Sequence, residues 1–196
     1  MIRRLIARTV VASLCAAAAA PALAQTGTIT GKVEATPPKY LAETVVYVKQ
    51  APGTFAPKTA AVDQKSLTFV PHVLVVTKGD TVKFLNHDNV AHNVYSPDVD
   101  AFNLGTFKQN EERTHAFTKE GPYSLLCSIH PEMLGYVFVN QNPYAAAVDA
   151  KGTFTIKNVP PGTYKLEVWN SHLKAPEKTV TVAAGQTVTE SFALKR

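Results

Sequence analysis

Seven consecutive residues hold most of the chemical potential of this sequence: Cys127-Ser128-Ile129-His130-Pro131-Glu132-Met133. They put a thiol, an imidazole and a thioether on one short stretch. Strand-like runs flank it, at residues 123–126 before and from Gly135 onward after. A cysteine and a histidine this close in a loop can aim at one point, and a methionine three residues further on can reach that point from an axial direction. Soft sulfur combined with imidazole suits copper in both oxidation states, and a trigonal His2Cys plane with a weak axial Met is an arrangement used for electron transfer. One imidazole is missing from the set. Residues 86–94, Asn-His-Asp-Asn-Val-Ala-His-Asn-Val, offer two candidates, His87 and His92.

Each of these residues also has an ordinary structural reading. A lone cysteine is commonly a core residue, and methionine commonly fills an irregular gap. His72, His115 and His172 are far apart in the chain and read as surface or structural residues. Trp169, Phe154 and Tyr164 read as sandwich core. Glu120 and Glu132 form no evident acid–base pair, no nucleophile motif is present, and no Cys-x2-Cys-His haem attachment occurs. The expectation is therefore a binding or carrier protein and not an enzyme.

The elements that must position the loop are all β. Apolar or β-branched runs recur at residues 28–33, 44–49, 73–76, 81–85, 123–126, 136–140, 153–156, 164–168, 179–182 and 187–194. Turn signals separate them, such as Lys78-Gly79-Asp80, Gly121-Pro122 and Pro160-Pro161-Gly162. This spacing predicts sandwiches and not βαβ units. Residues 144–148 have a helix-like composition but are too few to form a stable helix alone. Two apolar cores are expected, one over about residues 55–140 and one from residue 143 on. The second segment is thin for a sandwich, and the strands at 28–33 and 44–49 are expected to complete it.

The chain has 196 residues, and its 45% hydrophobic content marks it as globular. Residues 1–24 carry Arg3, Arg4 and Arg8, no acid, an alanine-rich apolar run and Ala22-Leu23-Ala24, the pattern of a secretory leader cleaved after Ala24. Without that segment 17 basic and 15 acidic side chains remain, a balance of +2. No basic cluster is left to bind nucleic acid. No later stretch has the 18 apolar residues of a membrane span. The expected location is the periplasm or the exterior. There Cys127, the sole cysteine beyond Cys15 of the leader, has no disulfide partner and needs burial, modification or metal.

The region around the loop resembles the cupredoxins, and within them the amicyanin type, which has the same short Cys-x2-His-x2-Met loop with proline after the histidine. Lys78-Gly79-Asp80-Thr81-Val82, leading to His92-Asn93-Val94, is similar to the family's first-ligand strand and loop. The resemblance implies one copper held by His92, Cys127, His130 and Met133. It also implies that Asn93 and Ser128 tie the two ligand loops by hydrogen bonds. A second resemblance covers Gly27 to Val33 and Asp149 to Leu166. These look like a carboxypeptidase regulatory-like, Cna-B-like β-sandwich. Together they imply an all-β chain in which a cupredoxin Greek-key sandwich is inserted in a smaller Cna-B/transthyretin-like sandwich. The expected divisions are a leader at 1–24, N-terminal strands of the module at 25–50, the copper domain at 51–140 and the rest of the module at 141–196. The whole resembles exported bacterial cupredoxins of the methylamine-utilisation type. The implied function is single-electron transfer between a donor and an acceptor redox protein, through an apolar rim of Val90, Ala91, Ile129, Pro131 and Leu134 around His130. The alternative is a copper chaperone or storage protein using the same residues.

Overall fold

The computed structural model describes residues 25–196. The leader-like segment 1–24, with Cys15, lies outside the described residues. The chain forms four sheets stacked as layers, with an apolar cluster between each successive pair.

Two layers are built from both ends of the chain. Strand β1 (Gly27–Ala35) lies between β13 (Thr153–Val159), antiparallel, and β16 (Thr187–Leu194), parallel. Strand β2 (Thr44–Val48) lies between β12 (Ala145–Ala147) and β14 (Gly162–Asn170), and β14 continues to β15 (Lys178–Val182). The two N-terminal strands are thus internal strands of the two sheets. Their inward residues Ile29, Val33, Val46 and Val48 meet Phe154, Ile156, Leu166, Val180 and Phe192 in one core. Gly31 is required where β1 and β16 approach each other, because a Cβ there would collide with the Glu190 carbonyl. Ala51 and Phe55 also pack against this core.

The nine strands β3 to β11 are inserted between β2 and β12. One sheet runs in the order β5 (Val73–Thr77), β11 (Leu134–Asn140), β10 (Gly121–Leu126), β7 (His92–Ser96), β8 (Phe102–Phe107). The other runs β4 (Thr68–Val70), β3 (Thr59–Lys65), β6 (Thr81–Asn86), β9 (Glu112–Ala116). Alternation along β10 and β11 explains the packing. Tyr123, Leu125, Val137 and Val139 face inward with Val62, Phe69, Val82 and Phe84, whereas Tyr136 and Phe138 face outward.

Those outward residues form the seam between the sandwiches. Tyr136, Phe138 and Val73 meet Val45, Tyr47 and Trp169 of the module. The Trp169 ring lies 5.3 Å from that of Tyr136 and 5.5 Å from that of Phe138. Trp169 is therefore a seam residue and not part of the module's own core. Leu134 also packs into the seam, which removes it from the expected rim around His130.

Several strands run through segments that sequence patterning does not mark: β3, β4, β7, β8, β9 and β12. The alanine-rich 144–148 segment is extended because β12 pairs with β2, and tertiary pairing outweighs its helix-favouring composition. The pairing generates a clear expectation. A fragment of residues 141–196 lacks β1 and β2, so β13 and β16 lose the strand that joins them. It should show no protected amides in hydrogen exchange, and protection should return when residues 25–50 are supplied. A protected fragment would contradict the role given to β1 and β2.

Candidate metal centre

The site forms at one end of the β5–β11–β10–β7–β8 sheet. The register Leu126↔Leu134 closes the β10–β11 hairpin over residues 127–133, and the Met133 amide donates to the His130 carbonyl at 3.0 Å, which tightens the loop. Gly135 lets the loop leave past Phe69, since a Cβ there would lie 2.8 Å from the Phe69 Cβ. Cys127 is 3% exposed and Met133 1%, and both belong to the core cluster of this sandwich.

His92 opens β7, so the strand itself directs its ring inward, and it has no exposure. Its Nδ1 lies 3.1 Å from Nδ1 of half-buried His130, and the latter is 3.9 Å from the Cys127 sulfur. One ligand atom from each of the three residues falls within 4.8 Å of the others, and this is the one such cluster among the described residues. His87 is elsewhere: its ring is exposed, with Nδ1 2.8 Å from an Asp63 carboxylate oxygen. The remaining histidines pack on aromatic rings. His72 lies against Tyr136, His115 against Phe102 and His172 against Tyr40.

Asn93 connects the segment carrying His92 with the loop carrying Cys127 and His130. Its backbone N–H points at the Cys127 sulfur at 3.4 Å, and its side-chain oxygen accepts from the Ser128 amide at 3.3 Å. Its amide nitrogen donates to Asn103 Oδ1 and the Gly105 carbonyl. Asn86, fully buried, shapes the preceding loop. It donates to the carbonyls of Val90 and Phe107 and accepts from the Asp88 amide.

Asp88 stands behind His92, with Oδ2 2.8 Å from the ring Nε2. Burial raises the pKa of its carboxyl. The Leu67 amide, the His92 ring and the Ser66 amide outweigh that and hold it below the usual carboxylate range. Asn86, Asp88 and Asn103 are not among the residues the sequence singles out as ligands or ties. The one local signal is an acid four positions before His92.

The donor set fits a copper ion. Three donors bonded to one ion at about 2.0–2.3 Å sit roughly 3.3–3.8 Å apart. The observed 3.1 and 3.9 Å separations bracket that range. Both imidazoles turn Nδ1 toward the shared point, and a thiolate with two imidazoles selects a soft or borderline ion.

The copper-binding plastocyanin/azurin family matches residues 56–140, and polysaccharide lyase family 4, domain II, matches residues 120–190. A comparison with curated proteins gives no match. Among solved structures, the copper-containing nitrite reductase NirK of Thermus scotoductus SA-01 is 29% identical over 49% of this chain, with TM-score 0.42. The chain spans 25% of that protein's length. A purple cupredoxin of Nitrosopumilus maritimus is 30% identical over 41% of this chain and 99% of its own, with TM-score 0.38. An amicyanin carrying a proline-to-alanine substitution, in its oxidised state, is 31% identical over 41% of this chain and 80% of its own, with TM-score 0.39.

Asn93 gives the prediction here. Asn93→Ala removes the acceptor of the Ser128 amide and two donated bonds in a 2% exposed position. Groups left unsatisfied in this way cost about 1–3 kcal/mol. Urea unfolding of the metal-free protein should show a loss of that size, and an unchanged midpoint would mean that the two loops hold together without Asn93.

Proposed function

We propose, for a chain that belongs to the cupredoxin family through residues 56–140 and carries an additional β-sandwich, that it is an exported one-electron carrier. Its copper would be held by His92, Cys127, His130 and Met133. The observation that carries this reading is the convergence of three donor atoms within 4.8 Å, two of them on buried side chains. A copper ion bound there supplies reversible Cu(II)/Cu(I) chemistry. The residues supply a nearly fixed cage. Cys127 is anchored by the Asn93 amide, His92 by Asp88, and Met133 by core packing. Donors that cannot move far resist the change of geometry that would slow transfer.

Export is supported by the character of residues 1–24, and burial of the unpaired Cys127 thiol is compatible with it. No helix among the described residues is long and apolar enough to cross a membrane. We assign residues 25–50 and 141–196 to one module and 51–140 to the copper domain, with Ala51 and Phe55 contributing to the module core. The copper-storage alternative calls for a donor set open to exchange, and the burial of Cys127 and His92 speaks for the carrier.

Donor and acceptor redox proteins would meet the chain at His130, the least buried of the three clustered ligands. Val90 is 41% exposed and Ile129 45%, on the two ligand loops, and Leu67 is 38% exposed at the turn whose amide reaches Asp88. Apolar side chains exposed together mark a contact surface, and weak redox encounters need only a small one. With a balance of +2 beyond the leader-like segment, encounter rates should depend only moderately on salt.

Two tests follow. Copper should bind one per chain, with an intense thiolate band in the red. Cys127→Ser should abolish the band, His92→Ala should weaken binding, His87→Ala should change neither, and Met133→Gln should lower the reduction potential. Loss of colour in the His87 variant with retention in the His92 variant would overturn the ligand set. Ile129→Glu should slow electron self-exchange, measured by NMR line broadening in mixed oxidation states, while the spectrum stays the same. An unchanged rate would place the port elsewhere.

A further inference from the structure

The Asp88 carboxylate is held on three sides. Oδ1 accepts from the Ser66 amide at 2.5 Å, Oδ2 accepts from the Leu67 amide at 2.9 Å, and Oδ2 is 2.8 Å from Nε2 of His92. The Asp88 amide in turn donates to Asn86 Oδ1 at 2.9 Å, so its backbone is fixed by a fully buried side chain. Ser66 and Leu67 form the tip of the β3–β4 hairpin, with φ of 55° and 56°. That tip aims its two amides at one carboxylate, and the same carboxylate meets the back of a metal-site imidazole.

We propose that Asp88 is a positioning residue for the copper centre: its carboxylate orients His92 from the side away from the metal, fixes the proton on Nε2 and strengthens Nδ1 as a donor to Cu(II). The proposal rests on His92 being a copper ligand.

The His92 ring has no solvent exposure, so water cannot take over as acceptor for an Nε2 proton, and Asp88 is the acceptor present. With the proton kept on Nε2, the Nδ1 lone pair faces His130 and Cys127. A carboxylate behind a ligating imidazole raises its basicity, and loss of such a partner costs roughly 10–100-fold in metal affinity across known sites. A more basic donor favours the more highly charged oxidation state, so Asp88 should stabilise Cu(II) more than Cu(I). The two histidines are then unequal. His92 is clamped from behind and has no exposure, whereas the ring of half-buried His130 contacts His92 and Cys127.

The test uses the full chain loaded with one equivalent of copper. Asp88→Asn should lower Cu(II) affinity by about tenfold and Cu(I) affinity by much less. The reduction potential should therefore rise, with the thiolate band retained. Asp88→Glu, which restores the charge, should return the potential toward the wild-type value. In the unaltered Cu(I) protein, nitrogen-15 NMR should find the His92 proton on Nε2 and slow to exchange with solvent. A role confined to capping the hairpin would lower stability and shift the Ser66 and Leu67 amides but leave the potential unmoved, and that result would overturn the proposal. A His92 proton on Nδ1, or rapid exchange from Nε2, would overturn it even if the variants failed to fold. His92→Ala separates the two readings: wild-type copper affinity and colour in that variant would sink the ligand assignment itself.

Discussion

The metal-binding geometry depends on a junction between two segments that are 34 residues apart in the chain, made by Asn93. One residue presents its backbone N–H to the Cys127 sulfur and its side-chain oxygen to the Ser128 amide, and its remaining donors reach β8. Apart from that junction, the strand carrying His92 and the loop carrying Cys127 and His130 meet at this end through the His92–His130 ring contact and a short β7–β10 pairing, whose register has a single pair, Leu126↔Tyr95. A site of this kind must hold its donors close while no covalent bond links them. Buried hydrogen bonds with every partner satisfied are what rigid placement requires.

The second sandwich bears on the same sheet from behind. Tyr136 follows the ligand loop by three residues and faces outward, where Trp169 and Val45 close over it. A free-standing sheet with Tyr136, Phe138 and Val73 exposed on its outer face would present an apolar surface to water. Here that face is covered by β2 and β14, so the module is part of the support of the ligand-bearing sheet as well as a separate core. The insertion also puts strands β1 and β16 in an outer layer, away from the sheet that carries Cys127 and His92.

The sequence is most legible where chemistry is local. Cys127, His130 and Met133 fall within seven residues, so their types and spacing suffice to suggest a metal loop. Choosing His92 over His87 needs family resemblance, because the two lie five residues apart in one polar segment. The structure separates them by strand position: His92 begins β7 and points inward, and His87 precedes it in the loop and pairs with Asp63. The roles of Asp88, Asn86 and Asn103 are not legible. Their partners are Ser66, Leu67, Phe107 and Asn93, brought near only by the sheets. Strand runs rich in Val, Ile and Tyr show themselves by pattern. The strands β3 and β9 do not, since their runs mix charged and small residues and lack the apolar signature. Trp169 and Leu134 join the seam against expectation, because an apolar residue carries no mark of which packing layer it will enter.

We propose that one rigid set of protein donors holds copper in both oxidation states. X-ray absorption at the copper edge, recorded on the oxidised and the reduced protein, tests it most directly. One short copper–sulfur bond and two copper–imidazole bonds should appear in both spectra, with small changes in length between them. A spectrum with no short sulfur, or a reduced state in which an imidazole has left the metal, would contradict it.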